Sequence, residues 1–210
     1  MNNSQSRKAA ARGLAPRKAP SQSRSAQTVE TILEGAAHIL EQLGLEGYTT
    51  NAIAAKAGVS IGSLYQYFPS KDAVTIALIE RESSELVREA KAALLGDDRR
   101  SALRQLIEIA VRYQLRRPRL AKLLDFEQDR LAPLLPTSGN VATLHTALVD
   151  FLNGWPGASA RQPQVAASDL MAIMSALTDS AGRRGTMDAA KLANSIEGAV
   201  LGYLAEPTTG

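Results

Sequence analysis

One glycine-centred turn constrains this chain more than any other feature of it. Residues 49–72 read Thr-Thr-Asn-Ala-Ile-Ala-Ala-Lys-Ala-Gly-Val-Ser-Ile-Gly-Ser-Leu-Tyr-Gln-Tyr-Phe-Pro-Ser-Lys-Asp. Ala52, Ile53, Ala55 and Lys56 form a short helix-favouring run. Thr49 or Thr50 can cap it, because a hydroxyl just before a helix accepts a bond from a free first-turn N–H. Gly58 follows, where a left-handed backbone is costly for a residue with a Cβ. Ser60 is placed to cap a second run through Leu64 to about Tyr67, which Pro69 stops. Two short helices joined by a tight turn containing glycine make a helix-turn-helix.

The second helix has two unlike sides. Val59, Leu64 and Phe68 are expected inward, and Ile61, Gly62, Ser63, Tyr65, Gln66 and Tyr67 largely outward. The outward set is short, polar or aromatic and holds no acid. A helix that only meets solvent more often carries Glu and Lys. One that enters a major groove needs side chains that reach bases and phosphates without repelling them.

The run Ala57-Gly58-Val59-Ser60-Ile61-Gly62-Ser63-Leu64-Tyr65-Gln66-Tyr67-Phe68-Pro69-Ser70-Lys71 resembles, nearly position for position, the signature of the TetR-like transcriptional repressors. The likeness extends upstream through Ile32-Leu33 and Gly44 and covers roughly residues 27–80. Past residue 95 only helical character agrees. Leu40 stands where many members carry Phe. Gly35 stands where Ala is commoner, at up to about 1 kcal/mol of helix propensity.

The resemblance implies an all-α protein of about nine helices, the count the helical periodicity also suggests. A three-helix DNA-binding domain would be followed by a C-terminal helical domain for ligand binding and dimerisation. Ile61, Gly62, Tyr65 and Gln66 would face base edges. Ser60 and Ser63 would serve the helix start and phosphate, while Thr50, Asn51, Tyr67 and Lys71 would hold the DNA backbone. The chemistry agrees: hydroxyls and an ammonium suit phosphate, and Gln66 can pair with adenine through two bonds. For Tyr65 and Tyr67, packing of a ring against the first helix is the alternative.

The same resemblance implies a cavity among the fifth to eighth helices for a small, mostly apolar effector. Residue type nominates Tyr113, Phe126, His145, Trp155, Met171 and Met174. Met and aromatics at helical spacing also serve as plain core, and both readings stay open. Effector binding would tilt the fourth helix and move two recognition helices out of register with grooves about 34 Å apart.

The rest of the chain reads as helical. Its 210 residues suffice for one large domain or two small ones. Aromatics are only 4% and no good alternating strand is found, which rules out a regulator with an α/β sugar-binding domain. With no cysteine, neither disulfides nor thiolate metal sites are available. No Glu-x-x-His pair accompanies the two histidines, so no metal or cofactor is expected. No apolar run approaches the ~18 residues of a membrane span, and the N-terminus lacks the apolar core of a signal peptide. A cytoplasmic protein is expected.

Charge is unevenly placed. Residues 1–27 hold six basic residues and no acid, so the remaining 18 basic and 21 acidic residues leave −3 out of a total of +3. Residues 1–24 are expected to be a disordered basic arm, able to approach phosphate or a minor groove, or else a solubilising leader. Residues 25–72 would form the helix-turn-helix domain, beginning with a helix whose apolar stripe is Val29, Ile32, Leu33, Ala36, Ala37, Leu40 and Leu43. Residues 73–95 would form a connecting helix capped by Ser70. Residues 96–210 would form the effector-binding and dimerisation domain, with residues 157–163 as a loop. The last two helices run over about 164–182 and 187–205, and the second carries Ala193, Gly198, Ala199 and Gly202, small residues that let another helix come close. They suit a homodimer interface, though packing within one subunit is the alternative.

An enzyme is disfavoured: no Ser-His-Asp set, phosphate loop or carboxylate–histidine helix motif appears, and Asp125 and Glu127 are two apart on a helix and do not face each other. The expected function is a homodimeric regulator on a palindromic operator in double-stranded DNA. A repressor is favoured over an activator, and a helical interaction module is the remaining alternative.

Overall fold

The computed structural model describes residues 23–155, 162–183 and 188–205. The expected basic arm, up to residue 22, and most of the expected loop at 157–163 lie outside the described residues. All regular structure among them is helical. The helices are α1 (Ser23–Gly47), α2 (Thr50–Ala57), α3 (Ile61–Tyr67), α4 (Lys71–Leu94), α5 (Arg99–Arg116), α6 (Pro118–Leu131), α7 (Asn140–Asn153), α8 (Pro163–Arg183) and α9 (Ala189–Ala205), with a 3₁₀ turn at Ala132–Leu134.

The chain forms two compact units that interleave along the sequence. One is drawn from Met1–Glu82 and Arg119–Thr137, the other from Ser83–Pro118 and Ser138–Gly210. Helix α6 therefore belongs almost wholly with the helix-turn-helix, and α4 contributes its two halves to different units.

In the first unit, the α1 stripe buries Ile32, Leu33, Ala36, Ala37 and Leu40 together with Ile53, Leu64, Phe68, Val74 and Leu78. Leu43 departs from the expected stripe and is exposed. Regular helix geometry stops just after it, at Gly44 (φ 66°, ψ −165°), and the Leu43 side chain lies along Gly47 instead of the core. Gly35 has a packing reason: a methyl there would sit 3.1 Å from the Cβ and backbone nitrogen of Ala57. That is tighter than most Cβ contacts, so an alanine there would need Ala57 of α2 to give way by a few tenths of an ångström.

The second unit has one continuous apolar core. Leu103, Leu106 and Ile107 of α5 meet Leu148, Phe151 and Leu152 of α7, Leu170 and Met174 of α8, and Ile196 and Val200 of α9. Each such side chain taken fully out of water contributes roughly 1.5–3 kcal/mol. Asp98 caps α5 by accepting from the Arg100 and Ser101 amides, at 3.3 and 3.1 Å. The opposite side of α9 is bare: Gly198, Ala199 and Gly202 are exposed, and nothing lies within 4 Å of a Cβ built on either glycine.

Candidate nucleic-acid interface

Local chemistry sets the geometry of the helix-turn-helix. Thr49, not Thr50, caps α2, its Oγ1 accepting from the Ala52 amide at 3.2 Å. At the other end Gly58 is left-handed (φ 66°, ψ 28°). Its amide donates to Ala55 at 3.2 Å while the Val59 amide reaches back to Ala54 at 3.0 Å, the pair of bonds that ends a helix when glycine follows it. Ser60 then caps α3, accepting from the Ser63 amide at 3.0 Å, with the two serine hydroxyls 2.8 Å apart. Ser70 caps α4 through the Ala73 amide at 3.1 Å.

Helix α3 presents Ile61, Gly62, Tyr65 and Gln66 to solvent, with Ser60 exposed at its start and Ser63 half-buried. Leu64 and Phe68 are buried as expected, and Val59 is half-buried. Tyr67 is a correction. Expected outward, it is only 9% exposed. It follows Leu64 by three residues, which on a helix puts both on one face. On α2, Asn51 is exposed and Thr50 half-buried. The Thr50 hydroxyl lies 3.2 Å from the Tyr65 phenol, joining the two helices. The exposed face of α3 carries no charge of either sign.

Beside it lies a polar cluster that the sequence reading missed. Tyr48 is 1% exposed, and Thr75 Oγ1 sits 3.2 Å from its hydroxyl and 3.0 Å from the Lys71 carbonyl. Burial pushes the Tyr48 phenol above its ordinary range, opposed by the Thr75 contact. Lys71 is exposed and rests its ammonium 5.6 Å from the centre of the Tyr48 ring. Asp72, in the first turn of α4, accepts from Arg130 of α6 at 2.6 Å. Arg130 also donates to the buried Glu127, at 2.6 Å from Nη2 and 3.2 Å from Nε. Hydrogen bonds to Glu127, then to Asp72, hold the Arg130 guanidinium above its ordinary pKa.

The nominated effector residues have different settings. Met174 is in the core of the second unit, and Met171 and Trp155 pack against that core. Trp155 also meets Phe151, with ring centres 5.8 Å apart. Tyr113 is half-buried. His145 Nε2 lies 3.1 Å from Ser168 Oγ and 3.2 Å from the Gln164 carbonyl. Phe126 is a second correction: it is 57% exposed and belongs to the first unit. The buried face of α6 runs through Leu120, Leu124, Glu127 and Leu131, and Phe126 falls beside that line. Among the described residues, no group of three or more His, Asp or Glu could hold a metal ion, and no helix is long and apolar enough to cross a membrane.

Fold and site together define an all-helical protein built around a helix-turn-helix of the DNA-binding kind. Residues 32–78 match the family model described as "Bacterial regulatory proteins, tetR family", and residues 99–204 match "Tetracyclin repressor-like, C-terminal domain". The chain belongs to the tetR family of bacterial regulatory proteins, a family of regulators and not of enzymes. Among curated relatives, the nucleoid occlusion factor SlmA of Escherichia coli is 35% identical over 109 residues, 49% of this chain and 55% of that protein. SlmA of Citrobacter koseri is 36% identical over the same length. The chain thus spans about half the length of the curated relatives it matches. Among solved structures, a TetR-like transcriptional regulator from Rhodococcus sp. RHA1 superposes with a TM-score of 0.65 at 23% identity, covering 85% of this chain and 96% of that one. A transcriptional regulator from Pseudomonas aeruginosa PAO1 gives 0.67 at 20% identity, covering 86% and 92%.

Proposed function

We propose that this regulator is a homodimeric repressor that binds a palindromic operator through α3 and is released by a small, mostly apolar effector. The observation that carries the reading is the exposed face of α3, which offers Ile61, Gly62, Tyr65 and Gln66 without a single acid. Gln66 reads a base edge, and Gly62 lets the helix lie close in the groove. Ser60, Ser63, Asn51 and Lys71 contact the phosphate backbone. Dimerisation uses α8 and α9. The bare stripe of Gly198, Ala199 and Gly202 supports this, since small residues let the same face of a second copy come close. In this scheme residues 25–72 bind DNA, residues 73–95 connect, and residues 96–210 take up the effector, with Met171, Met174 and Trp155 as its nearest contacts. Linkage requires that operator DNA weaken effector binding by the same factor as effector weakens DNA binding.

The test is fluorescence anisotropy with duplexes from upstream of the protein's own gene, titrated with salt. Saturable binding that depends on a palindrome and falls steeply with salt is expected. Equal weak binding to every sequence, this region and a randomised pool alike, would overturn the proposal.

A further inference from the structure

The two helices of the recognition unit are joined by one hydroxyl pair, Thr50 Oγ1 and the Tyr65 phenol, 3.2 Å apart. Tyr65 is exposed and Thr50 half-buried, so packing alone does not fix the phenol. Thr50 is the better anchored partner: it is β-branched and stiff about its first torsion, and it sits in the first turn of α2. A hydroxyl has one proton to give and can accept twice. A phosphate oxygen only accepts. The arrangement that DNA favours is therefore the one in which Thr50 donates to the phenol and the phenol donates onward, each bond strengthening the next. In a helix-turn-helix the first helix crosses the DNA backbone while the second lies in the groove. A phenol drawn from α3 towards the first turn of α2 is drawn towards the backbone.

We infer that Thr50 is a positioning residue: its hydroxyl directs the Tyr65 O–H at a DNA phosphate, so the two act as one contact and Tyr65 serves the backbone and not a base edge. This rests on α3 being the recognition helix. It replaces the separate roles that their residue types suggest, with Thr50 on phosphate and Tyr65 on bases.

The experiment measures affinity for a short duplex that the wild-type full chain selects from a randomised pool. Thr50→Val is expected to weaken binding roughly fivefold per subunit, and so about 25-fold for a dimer, the size of one net hydrogen bond in each half, and to cost nothing further once Tyr65→Phe is present. Thr50→Ser, which keeps the hydroxyl, restores affinity. Melting temperatures stay at the wild-type value, and the loss is the same on duplexes carrying single base-pair changes, since phosphate holds no sequence information. A Thr50→Val loss that is equal with and without Tyr65→Phe, or absent in both, overturns the inference and leaves the DNA-binding reading intact. Failure of the wild-type chain to select any duplex overturns both.

Discussion

Replacing Arg130 by Gln tests whether α6 belongs with the helix-turn-helix unit for energetic reasons. Glu127 is 4% exposed, and among the described contacts its carboxylate is met by Arg130 from both Nε and Nη2. Removing one partner of a fully buried pair costs about 3–5 kcal/mol, because the other charge is left unpaired in a dry place. Here the Arg130 side chain is 41% exposed, so water replaces part of what is lost. The Asp72 contact is a near-surface pair with a carboxylate 32% exposed, and such a pair adds about 0.5 kcal/mol. The expected loss is about 2–3 kcal/mol. Urea denaturation followed by circular dichroism reads it as a lower midpoint at unchanged slope. Adding Glu127→Gln to Arg130→Gln should recover most of the loss, because the uncompensated charge is gone while the shape stays. If the single variant loses less than about 0.5 kcal/mol, the range of an exposed pair, the cluster is a solvated surface bridge and the reasoning fails. If the double variant is worse than the single, packing matters there and charge does not.

Three further outcomes are expected. Gly44→Ala should destabilise more than Gly58→Ala, since a positive φ with ψ near 180° is open to glycine alone at about 1–3 kcal/mol, whereas nothing crowds a Cβ at Gly58 and only its left-handed backbone objects; equal losses in urea would contradict this. Ser60→Ala should cost about 1 kcal/mol through the lost cap on the Ser63 amide, and a variant as stable as wild type would mean that water replaces the serine. Gly202→Glu, placed on the bare face of α9, should turn a dimer into a monomer in sedimentation while circular dichroism still reports a helical fold, with a melting temperature lowered by the loss of the partner, and a persistent dimer would locate the interface elsewhere.

What the sequence disclosed was mostly local. Caps at Ser60 and Ser70, the left-handed Gly58 and the stop at Pro69 all act within four residues, so the turn and the helix ends around it were legible. Thr49 and Thr50 were indistinguishable because both carry the capping group and only backbone conformation decides between them. The polar tip of Tyr67 suggests exposure, but its spacing from the buried Leu64 places it inward. Tyr48, in the link between α1 and α2, gave no local sign, since its partner Thr75 lies 27 residues away on α4. Phe126 and Glu127 did leave a signal. Leu120, Leu124 and Leu131 share a helical line whose missing member is position 127, so a buried acid and an exposed Phe126 followed from the spacing. Arg130, three residues on from Glu127, is its neighbour on the same helix and was also legible; only the sharing of that guanidinium with Asp72 needed three dimensions.

The charge map makes one more demand on the mechanism. Between Thr49 and Asp72 the only cations are Lys56 and Lys71, and α3 has none. Affinity for DNA comes largely from neutralising phosphates, at a slope near 0.9 in log affinity against log salt for each. Two cations per subunit support a shallow salt dependence. Arg7, Lys8, Arg12, Arg17 and Lys18 supply the balance of positive charge, ahead of the first described helix. Deleting residues 1–22 should therefore flatten the salt dependence of operator binding by more than two units of slope per dimer, while the preference among operator sequences, which the proposal assigns to α3, should stay as it was. Anisotropy titrations across a salt series distinguish the outcomes. An unchanged slope would make that segment a leader with no part in binding, and the missing cations would have to be sought outside the recognition unit.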